Sequence, residues 1–356
     1  MDLGLGDGRI PLVRKGAAGA AGAAALGAAA AAGKALVDRR SARIGRQARR
    51  AYRLSPDETV PDGVRRMARG QIEAAIELLS GHGDREAAVH ETRKALKRVR
   101  TLLRLARGDL DPQTYRNETD GARQIARRLA VARDSEVMVE TLRAVSERFS
   151  GELPLDQIED LRSRLLAEHR EAQQRLDADD ILLDSAIRQL EAALTRVPGW
   201  TFAHDDFRAL TPGLRRVYRR GRRAFKAARR EPSTENLHEL RKRAKDLWHA
   251  AQVLRRARPS RMRKVRRGAH EVSDLLGENH DLALLRTEAL RHRRELADPA
   301  ALIALLGVID RRRTRLEHQA LRRAAPLYST KPGAFVKAVE RGWRKRMRAD
   351  AEPVAA

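Results

Sequence analysis

The chain has 356 residues, enough for one large domain or two ordinary ones. Lys plus Arg number 74 against 48 Asp plus Glu, a formal charge of +26; self-repulsion on that scale opposes compaction and points to a polyanionic partner, whether nucleic acid, an acidic membrane surface or an inorganic polyanion. With no cysteine, disulfides, thiolate catalysis and cysteine-ligated metals are excluded, and aromatics at 3% are too few for a base-stacking surface.

Residues 1–60 read as a tail in two parts. Gly16 to Gly33 is an uncharged Ala/Gly run. It approaches the length of a membrane span, but Ala and Gly supply little apolar transfer energy, so no span is assigned. Arg14 and Lys15 precede it as in a signal peptide, yet the stretch that follows is only weakly hydrophobic. A low-complexity segment resting on a surface or a partner is the expectation. Arg39 to Arg53 then carries a basic cluster, usable as an electrostatic arm or serving as a solvated linker.

From Pro61 onward nearly everything reads as helix. Apolar residues recur at three- and four-residue spacing in Val64, Met67, Ile72, Ile76 and Leu79, and again in Leu96, Val99, Leu103 and Ala106. Breakers stand as helix punctuation at Asp111-Pro112, Pro154, Val197-Pro198-Gly199, Pro212-Gly213, Glu231-Pro232, Pro259, Pro299 and Pro332-Gly333. The fold class is therefore all-α, a string of antiparallel helices of about 15 to 25 residues, as in helix bundles.

Within that string one unit occurs twice. Val89 to Arg100 reads V-H-E-T-R-K-A-L-K-R-V-R, and Leu237 to Trp248 reads L-H-E-L-R-K-R-A-K-D-L-W. Gly63 to Arg69 matches Gly213 to Arg219 in the same way, and Ala132-Arg133-Asp134 matches Asn279-His280-Asp281. Three landmarks in order define two helical halves, 61–197 and 205–348, with a boundary at Val197 to Trp200. Such a duplication favours a pseudo-two-fold arrangement that brings corresponding faces together.

What repeats is a row of cations. On the first helix His90, Arg93, Lys94 and Lys97 share a face, flanked by Arg98, Arg100 and Arg104; on the second, His238, Arg241, Lys242 and Lys245 do so, with His249 one turn on. The preceding helices add Arg65, Arg66 and Arg69, then Arg215, Arg216 and Arg219. Most charged helix faces are only solvated. Here like charges at i, i+3 and i+4 repel by a few tenths of a kcal/mol per pair in both copies, which favours a ligand that neutralises them. Arginine forks and lysine point charges without aromatics suit a ligand that is phosphate along its length.

A histidine beside three cations stays neutral until an anion arrives. Adjacent cations also repel a divalent ion, and the context is not HExxH, so neither a metal nor another cofactor is assigned. The repeated acids Glu91 and Glu239 read as intrahelical ion-pair partners, and Asp179-Asp180 and Asp205-Asp206 as caps. No catalytic residue emerges, and the chain reads as non-enzymatic.

These residues resemble the CHAD domain, the conserved histidine α-helical domain. His90 to Arg100, H-x-x-R-K-x-x-K-R-x-R, looks like its first-repeat signature; Ala132 to Asp134 and Leu276 to Asp281, L-G-x-x-x-D, look like its later landmarks. The similarity runs from about residue 61 to 348. It implies a duplicated bundle with a basic central groove that binds inorganic polyphosphate, in a cytoplasmic protein on polyphosphate granules, with nucleic acid as a weak nonspecific partner and the oligomeric state undefined. Groove residues implied on this basis are the cations named above, with Arg133 added. Many family members also carry a triphosphatase domain with an E-x-E-x-K motif; that motif is absent here, so triphosphatase activity is not implied. Asp246 and Trp248 stand where Arg98 and Arg100 stand in the first copy, leaving the second stripe less cationic. The rival reading is a basic helical protein associated with nucleic acid or the ribosome.

Overall fold

The computed structural model describes residues 40–81, 84–129, 133–293 and 299–351, so the Ala/Gly run of 16–33 lies outside it. The described residues are helical, with two isolated bridges and no strand. In chain order they form α1 (40–51), α2 (Val60–Leu79), α3 (Arg85–Ala106), α4 (Pro112–Arg128), α5 (Arg133–Arg148), α6 (Glu159–Ala178), α7 (Asp180–Arg196), α8 (Thr211–Arg230), α9 (Thr234–Val253), α10 (Pro259–Arg291), α11 (Pro299–Leu327) and α12 (Pro332–Ala351). None of them is long and apolar enough to cross a membrane.

Local chemistry sets the ends of the two repeated helices. Asp84 caps α3 by accepting from the Ala87 amide at 3.0 Å, and Ser233 caps α9 by accepting from Asn236 at 3.3 Å. The same device starts α2 at Thr59 and α7 at Asp179. The cation rows begin five to six residues after these caps, at His90 and His238.

The hairpins α2–α3 and α8–α9 pack against each other, α3 lying on both α8 and α9. One apolar cluster runs through both, joining Val64, Leu96, Leu102 and Leu103 to Leu214, Leu240, Leu247 and Leu254. A smaller cluster fills the space between α5, α6, α10 and α11, around Leu142, Leu161, Leu285 and Leu305. Each buried Leu contributes about 1.5–3 kcal/mol. The connection from 197 to 210 belongs to the main cluster too, since Trp200, Phe207, Ala209 and Leu210 are buried.

The tail expected over 1–60 is a folded element in its last third. Ile44 and Ala48 of α1 pack on Ala74, Leu78 and Ala88. Just beyond, Tyr52 and Leu54 enter the main core; the Tyr52 hydroxyl donates to the Arg98 carbonyl at 2.8 Å, and the Leu54 amide to the Val253 carbonyl at 3.1 Å. The apolar residues of this stretch repeat every four positions, a helical period that the surrounding arginines obscure.

The crossing of α3 and α8 is set by a missing side chain. A Cβ on Gly213 would stand 2.0 Å from the Leu105 carbonyl oxygen and 2.4 Å from that of Arg104. Backbone meets backbone there, and neither side can yield. Gly213→Ala is therefore expected to lower stability by about 1–3 kcal/mol or more, read as a reduced urea midpoint; an unchanged midpoint would remove this contact from the account of how the hairpins dock.

Candidate functional site

On α3, His90, Arg93 and Lys94 are half-buried and Lys97 reaches solvent, all on the face turned from the core. The Arg93 guanidinium donates to the Leu129 carbonyl at 3.4 Å, which leans it toward the end of α4. On α9, Arg241 lies against Gly277 of α10, where an added Cβ would sit 3.6 Å from its guanidinium. His238 stacks at a tilt on His280 with ring centroids 4.6 Å apart. Glu91 and Glu239 hold their own helix's lysines, Lys94 at 2.7 Å and Lys242 at 3.1 Å.

Because α3 rests on α9, the two rows meet. Although part of Lys97 reaches solvent, the protein around its ammonium removes hydration, the largest influence on its pKa, which falls to about 8. The next influences are all cations: Lys245, Arg93, Arg241 and Arg100. Arg100 is pushed down to about 10, first by burial and then by Arg104 and Arg123. Burial lowers His238 as well, helped by His280, Lys242 and Arg241, so its ring is held neutral near pH 7. Several buried nitrogens of this surface find no acceptor among the described residues, namely Nε of Arg100, Arg216 and Arg241. A buried N–H left without an acceptor costs about 1–3 kcal/mol, and an oxyanion would meet that need.

Three arginines expected in the groove do other work. Arg98 is 6% exposed and donates to Gln71 Oε1 at 3.0 Å, beneath the stripe and beside Tyr52. Arg65 directs Nε and Nη2 at the Trp200 carbonyl, at 3.1 and 2.6 Å, and lies over Phe202. Arg66 clasps Glu58 and donates to the carbonyls of Ala51 and Arg53. These guanidiniums fasten the N-terminal segment and the connection between the halves; Arg65 and Arg66 are held by protein acceptors, whereas Arg98 keeps a buried Nε without one among the described residues. His249, expected to continue the second stripe, is 7% exposed and neutral, its pKa pushed down to about 3 by burial and then by Arg98.

The remaining expected residues divide simply. Arg104 and Arg216 are half-buried and face each other across a small pocket between the hairpins. Arg69, Arg215 and Arg219 are exposed, and Arg69 lies 3.6 Å from Glu73. The Arg133 side chain lies outside the described residues. Sequence reasoning missed Arg107, Arg123 and Arg243, which share the pocket, and left His280 out of the site. Arg107 continues the Arg100–Arg104 spacing and was legible; Arg123 lies on α4, which carries no repeated cation row. Away from the groove, Glu168, Glu288 and His292 bring ligand atoms within 4.8 Å of one another, but Arg291 already pairs with both carboxylates.

A model of the CHAD domain family matches residues 66–290. Among solved structures, PptA from Streptomyces chartreusis is similar over 77% of this chain and 100% of its own, at 15% identity and a TM-score of 0.54, a likeness in fold. The CHAD domain from the plant Ricinus communis is matched over 94% of its length by 81% of this chain, at 16% identity and a TM-score of 0.46. No curated protein matches the sequence.

The crowding of Lys97 has a pH signature. Its pKa is about 8 in the fold against 10.5 when free, so between those values the unfolded chain binds more protons at this site and stability rises with pH. Lys97→Met is expected to be more stable than the parent at pH 7 and to lack that alkaline gain, measured as urea midpoints on either side of the window. Parallel pH profiles for the two proteins would show that Lys97 is not crowded.

Proposed function

The chain belongs to the CHAD domain family, and from that membership and the facing cation rows we propose that it binds inorganic polyphosphate in the groove between α3 and α9, without chemical turnover. The observation that carries the reading is Lys97: every charged group that most perturbs it is another cation. Such an arrangement costs stability when empty and is relieved by a linear polyanion. His90, Arg93, Lys94, Lys97 and Arg100 line one side, and His238, Arg241, Lys242 and Lys245 the other. We take α2–α3 and α8–α9 as copies of one unit, so that corresponding cations address successive phosphates from both sides. On this reading the protein works on polyphosphate granules in the cytoplasm.

Nucleic acid is the rival ligand, supported by net charge alone. Base stacking needs exposed rings. Here Trp200, Trp343, Tyr52, Tyr218, Tyr328, Phe207 and Phe335 are buried, and Trp248 is wedged between His249 and His270. The phosphate-binding half of a nucleic-acid surface is supplied without the half that holds bases.

The expected measurement is displacement of labelled long-chain polyphosphate at near-physiological salt. Excess duplex DNA or RNA should fail to compete at matched phosphate, and affinity should fall by about a hundredfold or more as salt rises fourfold. Lys94→Glu combined with Lys242→Glu, both on partly exposed side chains, should abolish binding while leaving the thermal midpoint near that of the parent. Displacement by nucleic acid, or unchanged affinity in the double variant, would overturn the assignment.

A further inference from the structure

Where α3 ends, its last arginines meet α4, α8 and α9 around a pocket of about 60 Å³. Arg104, Arg107, Arg123, Arg216, Arg220 and Arg243 line it, with Asp246 as the one carboxylate among the lining residues. That Asp is already shared, taking Arg243 at 2.6 Å and Arg104 at 3.2 Å. Arg243 also pairs with Glu239 at 2.8 Å, while Arg220 stands 3.7 Å from the same carboxylate. Arg123 pairs with the exposed Asp120 on its own helix. Arg107 is held over the Tyr115 ring, 5.1 Å from its centroid, immediately before Gly108, whose φ of 104° turns the chain away from α3. Arg216 keeps a buried Nε with no acceptor among the described residues.

Positive charge thus exceeds negative around a space of defined size. The pocket is small, and its guanidinium forks favour a compact oxyanion with several free oxygens. The pocket is continuous in charge with the groove: Arg100, one turn before Arg104, is perturbed by both Arg104 and Arg123 and in turn perturbs Lys97. Along a polyphosphate chain the internal groups carry one charge each, whereas a terminal phosphoryl group has a second ionisation near pH 6, as phosphate monoesters do. A pocket of arginine forks discriminates most strongly for the group with more charge and more free oxygens.

We infer that the arginine pocket is a seat for a dianionic tetrahedral phosphoryl group, and that in a bound polyphosphate it takes the chain terminus while the groove takes the internal phosphates. The seat itself rests on the pocket; the assignment to a chain end rests on the polyphosphate reading above. A free phosphate or pyrophosphate offers the same chemistry, so the test separates these sources.

Titration of the full chain with pyrophosphate, by calorimetry, tests the seat. Arg216→Ala combined with Arg220→Ala should weaken binding about tenfold or more. The charge-matched control Arg143→Ala with Arg162→Ala, on exposed residues of α5 and α6, should match the parent. Equal pyrophosphate affinity in the pocket variant and the control would overturn the seat. Melting curves recorded alongside distinguish loss of fold from loss of site; Arg216 is half-buried and Arg220 exposed, so neither replacement opens the core. The chain-end assignment is tested with long polyphosphate whose termini are free or blocked as phosphoramidates. Free ends should bind the parent about tenfold more tightly, and the difference should vanish in the pocket variant. Equal binding of blocked and free chains by the parent would overturn the chain-end assignment. Pyrophosphate binding through the pocket, with no binding of any long chain, would overturn the polyphosphate reading and leave the seat standing.

Discussion

Two rows of like charge held face to face repel one another, and the architecture of the bundle can be understood as what is needed to hold them there. Lys245, Arg93 and Arg241 converge on Lys97, which has no carboxylate among its strongest influences. Opposing that repulsion is apolar burial directly behind the rows, from Leu96, Leu102 and Leu103 on α3 and from Leu240, Leu247 and Leu254 on α9. The Gly213 contact then fixes how α8, and with it α9, sits on α3. Stability and ligand affinity are thereby set against each other in the same residues, because each cation that would strengthen binding weakens the empty protein.

The two hairpins carry this load unequally. Where the first copy has Arg98, tucked beneath the stripe against Gln71, the second has Asp246, which reaches across to Arg104 of the first. Where the first has Arg100 facing other cations, the second has Trp248 packed between two imidazoles. Substitution of an acid and an indole for two arginines removes charge from one row and supplies a cross-hairpin anchor in exchange. The arginine pocket lies at that anchor.

Much of this was legible in the sequence, for definable reasons. Helix class, caps at Asp84 and Ser233, and the phase of the cation rows follow from local rules: spacing, side-chain oxygens three residues before an amide, and breakers. The ion pairs of Glu91 and Glu239 follow from the same spacing. Arg65, Arg66 and Arg98 were not legible, because an arginine satisfied by carbonyls and an arginine open to a ligand are the same letter in the same stripe. Burial of Trp200 and the anchoring of Tyr52 depend on partners that fold in from far along the chain. The pocket joins four helices, and no local pattern marks Arg123 as a neighbour of Arg216.

The anchoring of residues 40–54 bears on where this domain begins and ends. Recognisable family similarity starts at residue 66 and stops at 290, yet Tyr52 and Leu54 on one side, and Phe335, Val339 and Trp343 on the other, are members of the central apolar cluster. A fragment cut at the edges of the similarity would expose the underside of both cation-bearing helices to water. The span that the family model matches and the span that closes the central core are therefore different lengths of chain, because aromatic and aliphatic plugs from outside 66–290 fill that core from both flanks.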